Sequence, residues 1–146
     1  MGDDVFYSGT VAAAIQVALL GIPSLAVSLA SFESEDYGPA AAWVGAFLDQ
    51  RATRLKRREI LNINIPAGKL SRAVVTRLGK RIYHDEVIRR EGTRGATYCV
   101  IDGTLSFELE DGTDFKAIAD GLISITPLSL DLTDHTGILS YRDSIT

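Results

Sequence analysis

The chain alternates stretches of helical and of strand spacing, divided by glycine and proline. Thr10 to Leu20 is an alanine-rich apolar run of helix length, stopped by Gly21 and then Pro23, and it predicts a helix. Leu25 to Leu29 is a short continuous apolar run, the kind buried on both faces of a parallel sheet, and predicts a strand. Ala40 to Arg57 predicts a second helix with Trp43, Val44, Phe47, Leu48 and Leu55 on its apolar side. Leu61 to Ile65, LNINI, alternates cleanly and stops at Pro66, which predicts a second strand. The order helix, strand, helix, strand is that of a layered α/β domain.

After Pro66 the pattern changes. Ala73 to Leu78, Arg81 to Arg90 and Thr97 to Ile101 read as strands separated by glycines, with Gly79 in the first break and a turn across Gly92 to Gly95, and no helix has room between them. This predicts an antiparallel meander or arm. A long hairpin without helical cover cannot bury both of its faces, so the arm is expected to lie on a partner subunit, with domain exchange one simple route. Phe115 to Asp120 predicts one or two helical turns, and Leu122 to Thr126 a last apolar strand before Pro127. The expected organisation is an α/β segment over residues 1–66, the extended arm over 67–110, and a return to the α/β core with a tail over 111–146.

Composition narrows the function classes. A chain of 146 residues suits one domain and buries roughly two thirds of its unfolded surface. Hydrophobic residues make up 46% and charged residues 23%, which excludes the composition of a disordered chain. The net charge of −4 argues against binding a nucleic acid duplex, which needs a positive face, and leaves room for a small anion in a local pocket. Cys99 is the single cysteine, so no disulfide framework or cysteine-rich metal site is expected, and a reducing, cytoplasmic setting follows. No charge falls between Val5 and Phe32, but Gly21 and Pro23 cut that run, Gln16 and serines dilute it, and its flank is acidic; a buried helix and strand account for it better than a membrane span. Asp3 and Asp4 also argue against a signal peptide, which starts with positive charge.

The sharpest candidate chemistry is the corner Ser8, Gly9, Thr10. Free N–H groups at a helix start point outward, the dipole adds positive charge there, and the missing side chain of Gly9 lets a phosphate approach the backbone. The same residues admit a plainer reading, in which Ser8 or Thr10 is an N-cap. Such a loop in open α/β folds follows a strand, yet seven residues precede Ser8, so the chain is expected to start in mid-fold. His135 sits in DLTDH behind Asp131 and Thr133, where a carboxylate could orient an imidazole for proton transfer; a surface or interface histidine is the alternative. His84, in the arm, reads as structural, and Asp114 in GTDF as a helix cap. The adjacent acids Asp3 and Asp4 read as solvated. Arg51, Arg54, Lys56, Arg57 and Arg58 read as a solvated helix end. The chain has no GxGxxG, phosphate loop, HExxH, CxxC or nucleophile elbow.

YSGTVAAA with GIPSLAVSL, then LNINIP, then GTDFKAIADGLISITPLSLDLT, closely resembles the SurE family of nucleotidases, in the same order and at similar intervals. The resemblance is weakest across Lys69 to Glu110 and after His135. Where the family shows an Asp-Pro-Arg-Gly turn, this chain has Gly92, Thr93, Arg94 and Gly95, and Cys99 stands where an aromatic residue is common. The resemblance implies a Rossmann-like three-layer α/β domain with a parallel sheet, truncated on its N-terminal side, and an extended antiparallel β-hairpin arm exchanged in dimers or tetramers. It implies a phosphomonoesterase acting on nucleoside 5′- and 3′-monophosphates. Ser8, Gly9 and Thr10 match the family's phosphate-holding corner; Asp131 and His135 match a tail segment near the active site and the subunit contact. A divalent metal, Mg or Mn, is implied too, but the family's ligands, a paired aspartate, a serine and an asparagine, all lie ahead of the matched region, so no metal ligand is expected in this chain. The expected partners are a nucleoside monophosphate or phosphate, further copies of the chain, and a polypeptide supplying the missing N-terminal half. A non-catalytic assembly module derived from the family, or a small-anion binder of unrelated descent, are the alternatives.

Overall fold

A computed structural model of the chain describes residues 1–31, 33–34, 36–93 and 96–145; Arg94 and Gly95 of the expected turn lie outside the described residues. A short 3-10 turn at Gly2–Phe6 leads into helix α1, Gly9–Leu19. Gly21 ends it with φ at 88°, a left-handed value that glycine adopts without strain, and its N–H donates to the carbonyl of Ala18 at 2.9 Å. Strand β1 is Ser24–Leu29 and helix α2 Gly38–Arg51, with Pro39 in its first turn where no N–H is needed. A separate 3-10 turn, Ala52–Arg54, replaces the last turns that the pattern predicts, because Leu55 goes extended and packs under the helix. Strand β2 is Ile60–Ile65.

Strand β3, Ala73–Val75, joins the main sheet rather than the arm. The arm is a two-stranded hairpin of β4, Arg81–Glu91, and β5, Thr97–Phe107, paired in antiparallel register from Arg81 and Phe107 to Glu91 and Thr97. Its strand β5 runs past Ile101 to Phe107, and Ile82 and Val87 on β4 and Tyr98 and Phe107 on β5 are exposed. Helix α3, Asp114–Ala119, strand β6, Ile123–Leu128, and helix α4, His135–Ile145, complete the chain.

The main sheet has the order β1-β2-β6-β3. β1 and β2 are parallel, Ser24 opposite Ile60, whereas β6 runs antiparallel to β2 and parallel to β3. The sheet is therefore mixed where a parallel one was expected. The connection over residues 66–72 explains it: a parallel crossover needs roughly a dozen residues or more, so the chain reverses after Pro66 and β6 later enters between β2 and β3.

Burial alternates along β2 between two helical layers. Ile60 joins Ala26 and the α1 residues Val11, Ala14 and Ala18; Leu61, Ile63 and Ile65 join Ile123 and the α2 residues Ala40, Trp43, Val44 and Phe47. This three-layer α/β arrangement is Rossmann-like. The alternation in LNINI does not mark a wet face, because Asn62 and Asn64 are as buried as the isoleucines. Their amide nitrogens have no hydrogen-bond partner among the described residues, while Thr126 and Ser124, opposite them on β6, share hydrogen bonds with Thr76 Oγ1 at 2.7 and 2.8 Å.

Arm and core meet at Asp114, which is fully buried and does not cap α3. Thr113 is the cap, its Oγ1 accepting from the Lys116 N–H at 3.3 Å. The Asp114 carboxylate instead accepts from the N–H groups of Gly2 at 2.7 Å, Gly79 at 2.9 Å and Phe115 at 2.9 Å. Phe115 beside it stacks on Phe107 at the foot of the arm, ring centroids 5.0 Å apart. Asp4 pairs with Arg81 at 2.8 Å and Asp3 accepts from the Arg81 N–H, so the two acids expected to be solvated brace the start of β4.

Candidate active site

The extended backbone of Ser8 makes it the N-cap of α1. Its Oγ accepts from the Val11 N–H at 3.2 Å and its carbonyl from the Ala12 N–H at 2.9 Å. The N–H groups of Gly9 and Thr10 keep no partner among the described residues, and both residues are exposed. A Cβ built on Gly9 meets nothing within 4 Å, so the space over the corner is open. The cap reading and the anion reading are thus compatible: the hydroxyl satisfies one amide and two others face outward.

Beside this corner lies a cleft of about 600 Å³, walled by Phe6, Val11 and Ile15 on one side and by Leu128 to Leu132 on the other. Its lining is mostly apolar, with Thr76, Arg77, Thr126, Ser129 and Asp131 as its polar residues; the Arg77 guanidinium pairs with Glu110 at 2.6 Å. Ser8, Gly9 and Thr10 border it through Phe6, Val11 and Ala12 rather than lining it, and Asp131 lines it while His135 does not.

His135 opens α4, and its Nε2 lies 2.7 Å from Oδ2 of Asp131, four residues earlier in the loop before the helix. Asp134, between them, caps α4 by accepting from the N–H groups of Thr136 and Gly137. The hydrogen bond from His135, followed by those from Thr133, holds the Asp131 carboxyl well below its ordinary 3.8, at about 2. The sign follows: with the folded value depressed, these contacts favour the folded form at and above the ordinary carboxylate range and are lost as pH falls through about 2. A carbon-detected NMR titration is expected to place the Asp131 midpoint near 2; a midpoint close to the ordinary 3.8 would contradict the pairing with His135. Both side chains are more than half exposed, so this pair is a surface device and not a buried dyad.

Among the described residues no three His, Cys, Asp or Glu side chains come together to hold a metal ion. Asp131 and His135 supply two, and Asp3 and Asp4 are engaged with Arg81. Among the described residues no such set of donors fits a divalent cation. His84 takes a place on β4 opposite Thr104, Cys99 is exposed on β5, and Arg51 to Arg58 line the exposed end of α2 and the loop after it. No helix among the described residues is long and apolar enough to cross a membrane. The sequence reading missed the wall formed by Thr76, Arg77 and Thr126; the alternating hydroxyls of Ser124 and Thr126 were the signal, legible only once β6 is known to lie against β3.

A mixed, helix-covered sheet, a helix start with two unpaired amides beside a cleft, and a long hairpin define a Rossmann-like α/β protein with an arm. The model of the family described as Survival protein SurE matches residues 1–85. The chain is 44% identical over 148 aligned residues to the 5′-nucleotidase SurE of Desulfitobacterium hafniense (strain DSM 10664 / DCB-2), covering 99% of this chain and 58% of that protein. It is 43% identical to the 5′-nucleotidase SurE of Geobacter metallireducens, covering 97% of this chain and 59% of that one. The crystal structure of the SurE protein from Aquifex aeolicus superposes with a TM-score of 0.83 at 32% identity, covering the whole chain and 61% of its own. The chain belongs to the SurE family. It spans about three fifths of the length of these relatives.

Proposed function

We propose that this chain carries the phosphate-holding part of a nucleotidase that hydrolyses nucleoside 5′- and 3′-monophosphates. One observation carries the reading: two unpaired backbone N–H groups at the mouth of α1, in open space, border an apolar cleft large enough for a nucleoside. The relatives' name, 5′-nucleotidase, supports the reaction class.

The Gly9 and Thr10 amides hold two phosphoryl oxygens and steady the charge that grows on them during transfer. The Ser8 hydroxyl accepts from Val11 and keeps its own proton to donate outward. Asp131 fixes the His135 ring through Nε2 and leaves Nδ1 to exchange a proton with water or a departing hydroxyl. A divalent cation, Mg or Mn, would polarise the phosphoryl group if bound, and its ligands would have to come from polypeptide other than the described residues. The setting is cytoplasmic and the working form a dimer or tetramer in which the exposed apolar side chains of the arm are covered.

The test is release of phosphate from AMP, with and without manganese or magnesium, by the chain alone and with any co-purifying polypeptide. The chain alone is expected to turn over poorly. Vigorous metal-dependent hydrolysis by the pure chain would overturn the account of the cation. Gly9→Ala separates binding from folding: its added methyl meets no protein atom, so thermal stability holds or rises slightly, while phosphate binding falls about tenfold, equivalent to ~1.4 kcal/mol. Unchanged phosphate affinity in that variant would remove the corner from the site.

A second reading is favoured by the lack of a metal-holding cluster among the described residues together with the bare apolar arm. It makes the chain a non-catalytic assembly module, and it expects a stable oligomer with no metal-dependent activity in any combination. Light scattering showing a well-behaved monomer would count against both the arm's role and this reading.

A further inference from the structure

On the side of the sheet away from α1, a recess of about 280 Å³ opens where α2 gives way to the 3-10 turn. Phe47, Leu55, Leu61 and Ile125 line it, together with Val75 and Pro127. Arg51 and Arg54 complete it, one ending α2 and the other ending the turn. Neither guanidinium makes a hydrogen bond or ion pair among the described residues. The carboxylate at the recess, Glu59, is already committed, accepting from the Lys56 N–H at 2.6 Å. Val75 is 75% exposed at the margin, on the outermost strand of the sheet, so apolar surface is left bare beside two unspent positive charges.

We propose that this recess binds a small anion with an apolar body, a carboxylate or phosphate monoester carrying an aliphatic chain or a single ring. The apolar lining removes the body from water and the guanidinium pair takes the charged head, a combination that neither a free inorganic anion nor a neutral hydrocarbon satisfies. The site is separate from the cleft beside α1, with Pro127 alone common to the two linings, and it does not depend on the nucleotidase reading.

Trp43 is the single tryptophan and stacks on Phe47 with ring centroids 5.3 Å apart, so its emission reports occupancy. Titration with octanoate is expected to change Trp43 fluorescence saturably, octanol to bind about tenfold more weakly, and inorganic phosphate to leave the emission unchanged. Arg51→Gln with Arg54→Gln, both at exposed positions, should weaken octanoate about tenfold and leave octanol where it was. Circular dichroism and the unchanged octanol affinity confirm that this variant is folded. Should it unfold, Arg54→Gln alone gives the same comparison with a smaller shift. Octanoate and octanol binding alike, no saturable response, or an octanoate affinity indifferent to both arginines would overturn the proposal.

Discussion

Replacing Asp114 by alanine is expected to destabilise the protein by about 3–5 kcal/mol, because three buried N–H groups lose their acceptor at once and each orphaned donor costs roughly 1–3 kcal/mol. At a urea dependence of about 2 kcal/mol per molar, the unfolding midpoint should fall by roughly 2 M. Asp114→Asn should cost less, since one oxygen still accepts, yet it turns an NH₂ group toward other donors and cannot restore the full set. Position 2 must suit the same junction. Gly2 has φ at 52°, and a Cβ there would fall on the ring of Phe115 and within 2.6 Å of the Gly79 carbonyl. A midpoint for Asp114→Ala within about 0.5 M of the parent would mean the carboxylate is not the organiser that its bonds suggest.

Phe115→Ala should cost a similar amount, about 3–5 kcal/mol, and should act on a different observable as well. The ring is 2% exposed, stacks on Phe107, and lies under the guanidinium of Arg81, 5.6 Å from its centroid. Those contacts are the apolar part of the joint between hairpin and core. A lone two-stranded hairpin is marginal in water, so the arm draws its order from this joint. Amide hydrogen exchange in β4 and β5 is therefore expected to quicken about tenfold more than exchange in β2. Ile63→Ala is the control: it opens a cavity of comparable cost in the α2 layer and leaves the foot of the arm intact. Equal acceleration in both variants would mean that arm and core open as one unit.

Much of the framework could be read from local signals. Gly21 and Pro23 mark the end of α1, Pro66 the end of β2, and the apolar runs between them could be little else than elements of a covered sheet. The N-cap at Ser8 was legible for the same reason, since its hydroxyl directly precedes the apolar helical run. What stayed hidden depends on distance along the chain. The reversal after Pro66 is a matter of loop length, and the partners of Asp114 lie 112 and 35 residues away, which made a buried organiser look like an ordinary cap. The burial of Asn62 and Asn64 was not legible, because alternation cannot tell a wet face from a polar strip covered by a second layer. Helix α4 was missed: its cap, Asp134, stands directly before the histidine that drew the attention, and Gly137 and Ser140 dilute the apolar spacing behind it.

The bond from Gly2 to Asp114 also dictates a schedule. A turn whose amide finds its acceptor more than a hundred residues downstream cannot settle while the chain is still emerging from the ribosome; β1, β2 and even the hairpin are complete before α3 exists to receive it. The helix mouth at Ser8 adjoins that turn, so the unpaired amides of Gly9 and Thr10 are aimed among the last parts of the molecule to be organised, and a nascent chain that has not yet reached Phe115 should lack their final orientation whatever else it has folded.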